Sequence, residues 1–251
     1  MTQNLSNKVA LVTGGSRGLG AAIAESLAQE GADVAITYVA SEDKAEAVVT
    51  RLKANGVNAI AIKADQGDPG ASEALIGEVV ERLGKLDILV NNAAVAYQGR
   101  TINDPEIDND AMDRQWAINT LGVVANIRAA AKVLPQGGRI VSIGTGLGTR
   151  VGFPGTADYA ATKAAVIGYS KGAARDLGSL GITVNVVQAG IMDTDMAAGS
   201  KDKLPPIVMD SHAIPRFAEL SEVAAAVLFL AGPDAGFITG SVIDVNGGFT
   251  A

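Results

Sequence analysis

Short β-branched runs alternate with longer alanine-rich stretches of helical length, and this rhythm constrains the fold more than any other feature of the chain. "KVALVT" precedes 17–31, "DVAITY" precedes 41–55 and "NAIAIKA" precedes 69–83. "LDILVNN" leads into a helical region reaching about 134, "RIVSIG" leads to a helix over 157–178, and "ITVNVVQA" and "SVIDVNGG" complete the series. Strands separated by helical crossovers pair in parallel, and strands that read as continuous apolar runs are covered on both faces. The pattern predicts an α/β architecture: a doubly wound sheet of seven mainly parallel strands with helices on both sides. No linker, low-complexity tract or longer repeat interrupts the series, so residues 1–251 are expected to form one domain. Only 191–216, "IMDTDMAAGSKDKLPPIVMDSHAIPR", breaks the rhythm, and its place after a strand end suggests a substrate lid.

Composition narrows the partners. With 48% hydrophobic residues the chain can build a substantial core. Its 27 acidic against 20 basic residues leave a net charge of −7, which repels phosphate backbones and anionic membranes and argues against a nucleic acid partner. Cysteine is absent and His212 is the single histidine, so neither a thiol nucleophile nor a zinc site is easily assembled. The opening "MTQNLSNK" lacks the apolar run of a secretory signal, and no stretch of about 18 apolar residues could cross a membrane. A soluble, cytoplasmic protein is expected.

The first strand runs into "TGGSRGLG", where Gly14, Gly15, Gly18 and Gly20 give the spacing T-G-x-x-x-G-x-G before a helix begins. Glycines let the backbone turn tightly and approach a ligand, and the helix N-terminus offers unpaired N–H groups to a pyrophosphate. At the end of the second strand a carboxylate would bind ribose hydroxyls and repel a 2′-phosphate. This chain reads "ITYVASEDK", with Thr37, Tyr38, Val39 and Ala40 there. Arg17 can face a phosphate, with Ser41 as a further hydroxyl donor, so NADP(H) is favoured, while nearby Glu42 and Asp43 keep NAD(H) open.

In "ADYAATKAA", Tyr159 and Lys163 stand one helical turn apart on one face. A free phenol titrates near pH 10, and a neighbouring ammonium favours the phenolate. Lys163 is therefore expected to lower the pKa of Tyr159, fitting it for proton exchange.

Taken in order, "TGGSRGLG", "NNAA" at 91–94, Asn119 in "WAINTLG" and Tyr159-x-x-x-Lys163 resemble the short-chain dehydrogenase/reductase family over nearly the whole chain, nearest to its 3-oxoacyl-carrier-protein-reductase-like and carbonyl-reductase members. The resemblance implies a Rossmann-type fold and a hydride transfer between NADP(H) and a ketone, aldehyde or secondary alcohol. It implies Tyr159 as general acid or base and Lys163 as its partner and a ligand of the nicotinamide ribose. Asn119 would hold a water in a proton relay, although a helix asparagine bonded to nearby backbone is the plainer alternative. Thr145 stands where the family places a serine toward the substrate carbonyl, with Ser142 as its rival.

For the cofactor, the resemblance implies contacts from Gly14, Ser16, Arg17, Gly18, Leu19, Gly20, Tyr38 and Ser41. Asn91 and Ala93 would line it, and Asp65 would meet the adenine amino group or simply close a strand-end turn. Gly190, Ile191 and Thr194 would flank the nicotinamide; Ala189 replaces a common proline there. Phe153, Met192 and Met196 suggest an apolar substrate wall. Trp116 reads as packing and His212 as a lid or surface residue. A homotetramer is implied, with 157–178 and "FITGSVIDVNGGFTA" in its interfaces. The two departures, Thr145 and Ala189, leave a second reading: a nucleotide-binding sensor with vestigial catalysis.

Overall fold

The computed structural model describes residues 4–194 and 206–251. Its centre is a parallel sheet of seven strands: β1 (Val9–Val12), β2 (Asp33–Tyr38), β3 (Ala59–Lys63), β4 (Ile88–Asn91), β5 (Arg139–Thr145), β6 (Thr183–Ala189) and β7 (Val242–Val245). They lie in the order β3-β2-β1-β4-β5-β6-β7, so the chain reverses its winding between β1 and β4. Every pairing is parallel, in register from Val9 opposite Asp33 at one side to Ala189 opposite Val245 at the other. In open α/β sheets, ligands sit outside the carboxyl ends of the strands where the order reverses. That rule points to the ends of β1, β4 and β5.

Side chains alternate between two apolar layers. Val12, Ile36, Val90, Val141 and Val187 face the layer that includes helices α1 (Gly18–Gln29) and α8 (Leu220–Ala231). Leu11, Leu89, Ile140, Val184 and Val186 face the layer that includes α3 (Ser72–Leu83), α5 (Val123–Ala130) and α6 (Ala157–Leu177). A strand buried on both sides has no polar face to display, which is why these segments read as unbroken apolar runs. The helix α2 (Glu42–Lys53) covers β2 and β3, burying Ala45, Val48, Val49 and Leu52 at helical spacing and leaving its charged residues on the outer face.

The region after β4 is less regular than the sequence suggests. A loop runs to Asp108, whose carboxylate accepts from the Ala111 N–H at 3.0 Å and starts α4 (Asn109–Trp116). A π-helical turn, Ala117–Gly122, then carries Asn119 before α5 begins. The α7 turn (Pro206–Asp210) belongs to the expected lid; residues 195–205 of that segment, Met196 among them, lie outside the described residues. Among the described residues no helix is long and apolar enough to cross a membrane.

Candidate active site

The glycine turn is held by hydroxyls from neighbouring strands. Thr37 at the end of β2 accepts from the Gly14 N–H at 2.9 Å, and its carbonyl accepts from Gly15 N–H at 3.0 Å. Thr13 Oγ1 accepts from both Asn92 and Ala93 N–H at 3.0 Å, and the Asn92 amide donates back to the Thr13 carbonyl at 2.9 Å. Gly14 adopts φ +65°, and a methyl group on it would press on the Ala93 backbone. Gly20 is required for a second reason: a side chain there would collide with the Gly14 carbonyl and the Asn92 amide. The turn therefore stays close to α1 and leaves that helix's first N–H groups facing outward from the sheet edge.

Arg17 occupies the N-cap of α1 in extended backbone and makes no side-chain cap bond. An open groove beside the turn is lined by Ser16, Arg17, Gly18 and Lys44. Leu19 is buried under the turn and packs rather than facing it. Tyr38 is also buried; loss of solvent, followed by the charge of Glu42 and a hydrogen bond to it, raises the phenol's pKa. Glu42, the acid that kept NAD(H) open, is thereby engaged by Tyr38. Ser41 caps α2 only through its backbone, leaving its hydroxyl unused by the helix.

On the other side, Thr194 lies across from Gly18, its Cγ2 only 3.6 Å from where a Gly18 side chain would begin. Gly190 donates its N–H to the Val245 carbonyl at 2.9 Å, and the Ile191 carbonyl accepts from Ala218 at 2.8 Å, so the segment leaving β6 is pinned. Gly190 also packs so tightly against Asn246 that a side chain would meet it at 2.9 Å. Ala189 in place of proline leaves this geometry supported by the β6–β7 ladder.

At the end of β5, Thr145 leaves the sheet in extended conformation, opposite Ala189. Ser142 is buried under the sheet end and accepts from the Asn91 amide at 3.4 Å, which removes it as Thr145's rival. Asn91 itself is buried and bonded to Ser142 and Asn126, so its side chain braces β4 from below instead of lining the cleft.

The long helix α6 brings in Tyr159 and Lys163. Alanines favour its helicity, and Lys163, Val166, Ser170, Ala173 and Ala174 form its buried face. The Lys163 ammonium donates to the Ile143 carbonyl of β5 at 3.0 Å and stands 6.0 Å from the centre of the Tyr159 ring. The two groups share one face, as the spacing requires. Their protonation differs from the sequence-based expectation: burial pushes the Tyr159 phenol up to about 12 and the Lys163 ammonium down to about 8. Desolvation disfavours the charged form of each and outweighs the attraction an ammonium offers a phenolate. Tyr159 is thus held as a protonated donor.

Asn119 is fully buried. Its carbonyl oxygen accepts from Val95 N–H at 2.9 Å, and its amide donates to the Val95 carbonyl at 2.8 Å and to the Thr162 hydroxyl at 3.3 Å. The side chain thus follows the plainer alternative, bonding to nearby backbone. Thr162 in turn donates to the Tyr159 carbonyl at 2.8 Å, so Asn119 and Tyr159 are joined through one hydroxyl.

Asp65 closes the strand-end turn, the second of its two expected readings, by accepting from the Gly67 N–H at 2.9 Å. Although burial opposes its charge, hydrogen bonds from Arg114, at 2.6 Å, and from Gly67 N–H hold its carboxyl below the usual range. It is committed to Arg114 and remains partly exposed at the rim. Several supports escaped the sequence reading: Thr13, Thr37, Asn92, Gln66 and Asn126. Trp116 is more than packing, since its indole N–H donates to Asp158, beside Tyr159, at 3.0 Å. Trp116 opens the "WAINTLG" motif, but a bond to Asp158, 42 residues along the chain, leaves no local signal; the second asparagine of "NNAA" does carry one, because a polar pair at a strand end needs partners. Among the described residues no group of acidic residues and histidine could hold a metal ion. His212 bonds the Val208 carbonyl and packs on Phe249.

The glycine cradle, the helix N-terminus, Thr194 and the Lys163 ammonium fit a dinucleotide: two partial or full positive charges flank space that side chains would otherwise fill. Comparison with known proteins agrees. Residues 14–250 match the family model described as enoyl-(acyl carrier protein) reductase. The 3-oxoacyl-[acyl-carrier-protein] reductase FabG of Staphylococcus aureus is 43% identical over 96% of this chain and 97% of its own. A protein of Escherichia coli named cyclic-di-GMP-binding biofilm dispersal mediator is 40% identical over 97% of this chain and 98% of its own. A short-chain dehydrogenase from Burkholderia cenocepacia, solved in complex with NADP, superposes with a TM-score of 0.92 at 46% identity, covering 99% of this chain and 100% of that one. With motifs, strand order and site geometry in agreement, the chain belongs to the short-chain dehydrogenase/reductase family of oxidoreductases.

Proposed function

We propose that the protein is an NADPH-dependent reductase of a 3-oxoacyl group carried as a thioester, the acyl-carrier-protein form being its natural presentation. The observation that carries this reading is the Tyr159–Lys163 pair tethered to the Ile143 carbonyl, beside Thr145 and at the same sheet edge as the glycine turn. Similarity to FabG and to an NADP-bound neighbour supports the substrate class and the cofactor. Arg17 and Lys44 on the groove beside the turn, with no carboxylate closing β2, favour a 2′-phosphate.

When bound, the reduced nicotinamide supplies a hydride to the carbonyl carbon. Thr145 donates a hydrogen bond to the carbonyl oxygen and orients it. Tyr159 gives its proton to that oxygen as negative charge develops there. A phenol is protonated at neutral pH and so has a proton to give. The Lys163 ammonium then faces the phenolate left behind and stabilises it. Loop 93–95, Asn119 and Thr162 keep α6 at a fixed distance from the cleft. Residues 1–251 act as one catalytic unit in this reading.

Loss of NADPH absorbance on mixing with acetoacetyl thioesters tests the proposal; turnover of simple ketones with none of thioesters would move it to a general carbonyl reductase. A second reading has one observation in its favour, the 40% identity to a cyclic-di-GMP-binding protein. In that case the purified chain binds cyclic di-GMP and oxidises no NADPH with any carbonyl.

A further inference from the structure

Between the adenosine end of the site and Asn119 stands a residue that none of the expected roles includes. Gln66 follows Asp65 in the loop leaving β3. Its side-chain amide donates to two carbonyls at once, Ala93 at 2.8 Å and Ile118 at 2.9 Å, and its amide oxygen accepts from Asn126 at 3.3 Å. Ile118 is the neighbour of Asn119 within the π turn. A π turn shifts its carbonyls out of the ordinary helical ladder, so an external donor to one of them fixes the turn's shape. Gly122 at the end of the turn lies so near the Gln66 backbone that a side chain there would collide with the Gln66 carbonyl.

The same strand-end loop is gripped twice. Gln66 holds Ala93, and Asn119 holds Val95 through both its N–H and its carbonyl. Asn126, bonded to Gln66, is bonded also to Asn91 at 3.2 Å, so the grip reaches the buried end of β4. The Gln66 side chain, carried on the loop after β3, thus ties the loop after β4 to the π turn.

We propose that Gln66 is a positioning residue that couples occupancy of the adenosine end, beside the loop leaving β3, to the placement of Asn119. The proposal rests on the dinucleotide reading given above. Ordering the Asp65–Gln66 loop steadies the amide that holds Ile118, and the π turn carrying Asn119 is ordered with it. Coupling of this kind typically changes an equilibrium about fivefold or more.

The test uses adenosine 2′,5′-bisphosphate, which fills the adenosine end and has no nicotinamide to reach Tyr159. Calorimetry measures its binding, and hydrogen exchange follows the peptide covering 117–122, in the wild type and in Gln66→Met. In the wild type, saturating bisphosphate should slow exchange of that peptide about fivefold or more. In Gln66→Met it should bind with little change in affinity and leave the exchange unaltered, while kcat for the reductase reaction falls about tenfold and the NADPH KM moves little. Gln66→Glu, which keeps the shape but loses the donor, should behave the same way and covers the case of a poorly folding methionine variant. Equal slowing in wild type and variants, or saturated wild type with no slowing, overturns the coupling. Failure of the bisphosphate to bind the wild type overturns the dinucleotide reading instead, and the coupling falls with it.

Discussion

Lys163 is where competing forces are most exposed. Its ammonium keeps a hydrogen bond to Ile143 yet is pushed down to about 8 by burial, from an ordinary value of 10.5. The folded state therefore releases its proton before the unfolded chain does. Between about pH 8 and 10.5 the unfolded chain binds more protons, so this residue's contribution to stability rises with pH across that window. The gain is at most about 3 kcal/mol, and Lys163→Met should abolish it, as denaturant titrations at pH 7.5 and 10 would show. Thr145 gives a second test. Removing one oxyanion-type donor costs about 10²-fold in kcat, so Thr145→Ala should lose about that much, whereas Thr145→Ser keeps the hydroxyl and should retain most activity. Steady-state assays on the two variants separate a chemical role from mere packing. The shared face of Tyr159 and Lys163 was legible in their four-residue spacing, whereas Thr145 was named only through the family resemblance. The direction of the Tyr159 shift was not legible, because desolvation depends on which elements close over the ring.

At the scale of single elements, the glycine turn depends on backbone contact. Gly20→Ala places a methyl group into the Gly14 carbonyl and the Asn92 amide, so it should forfeit dinucleotide binding and lower the melting temperature together. Fluorescence titration with NADPH and a thermal melt read both. Thr37→Val, which removes the acceptor for Gly14 N–H without changing size, should cost about 1–3 kcal/mol of stability. The turn's glycines announced themselves by spacing, whereas Thr13 and Thr37 did not, since a threonine at a strand end is ordinary β composition. The helical region before 134 shows the same limit. Its periodicity revealed a helix, but the π turn arises from tertiary contacts by Gln66 and Gly122 that no local pattern encodes. Asp65 was placed correctly at a strand end, and its pairing with Arg114, 49 residues along the chain, lay beyond local reading.

For the whole molecule, the strand order explains why residues from positions 14 to 194 meet in one place: each functional segment leaves the carboxyl end of a strand of one sheet. The seven strands and their parallel pairing follow from the alternation of apolar runs and helices; the order in which they lie does not, being set by crossover handedness and packing. Assembly is a matter for this scale too. Phe237 is fully exposed and Phe229 and Leu121 are half exposed. A homotetramer using α6 and the C-terminal segment that begins at Phe237 would cover part of this surface. Light scattering should then give about four chain masses, and Phe237→Asp should reduce that number.

The central claim is that Tyr159, backed by Lys163, delivers the proton to a carbonyl beside a bound nicotinamide. Its most direct test is Tyr159→Phe, assayed for NADPH binding and for reduction of an acetoacetyl thioester in the same preparation. Unchanged NADPH affinity with kcat reduced about 10²- to 10⁴-fold is the expected result. A phenylalanine variant that binds NADPH and still turns over within about threefold of the wild type would contradict it.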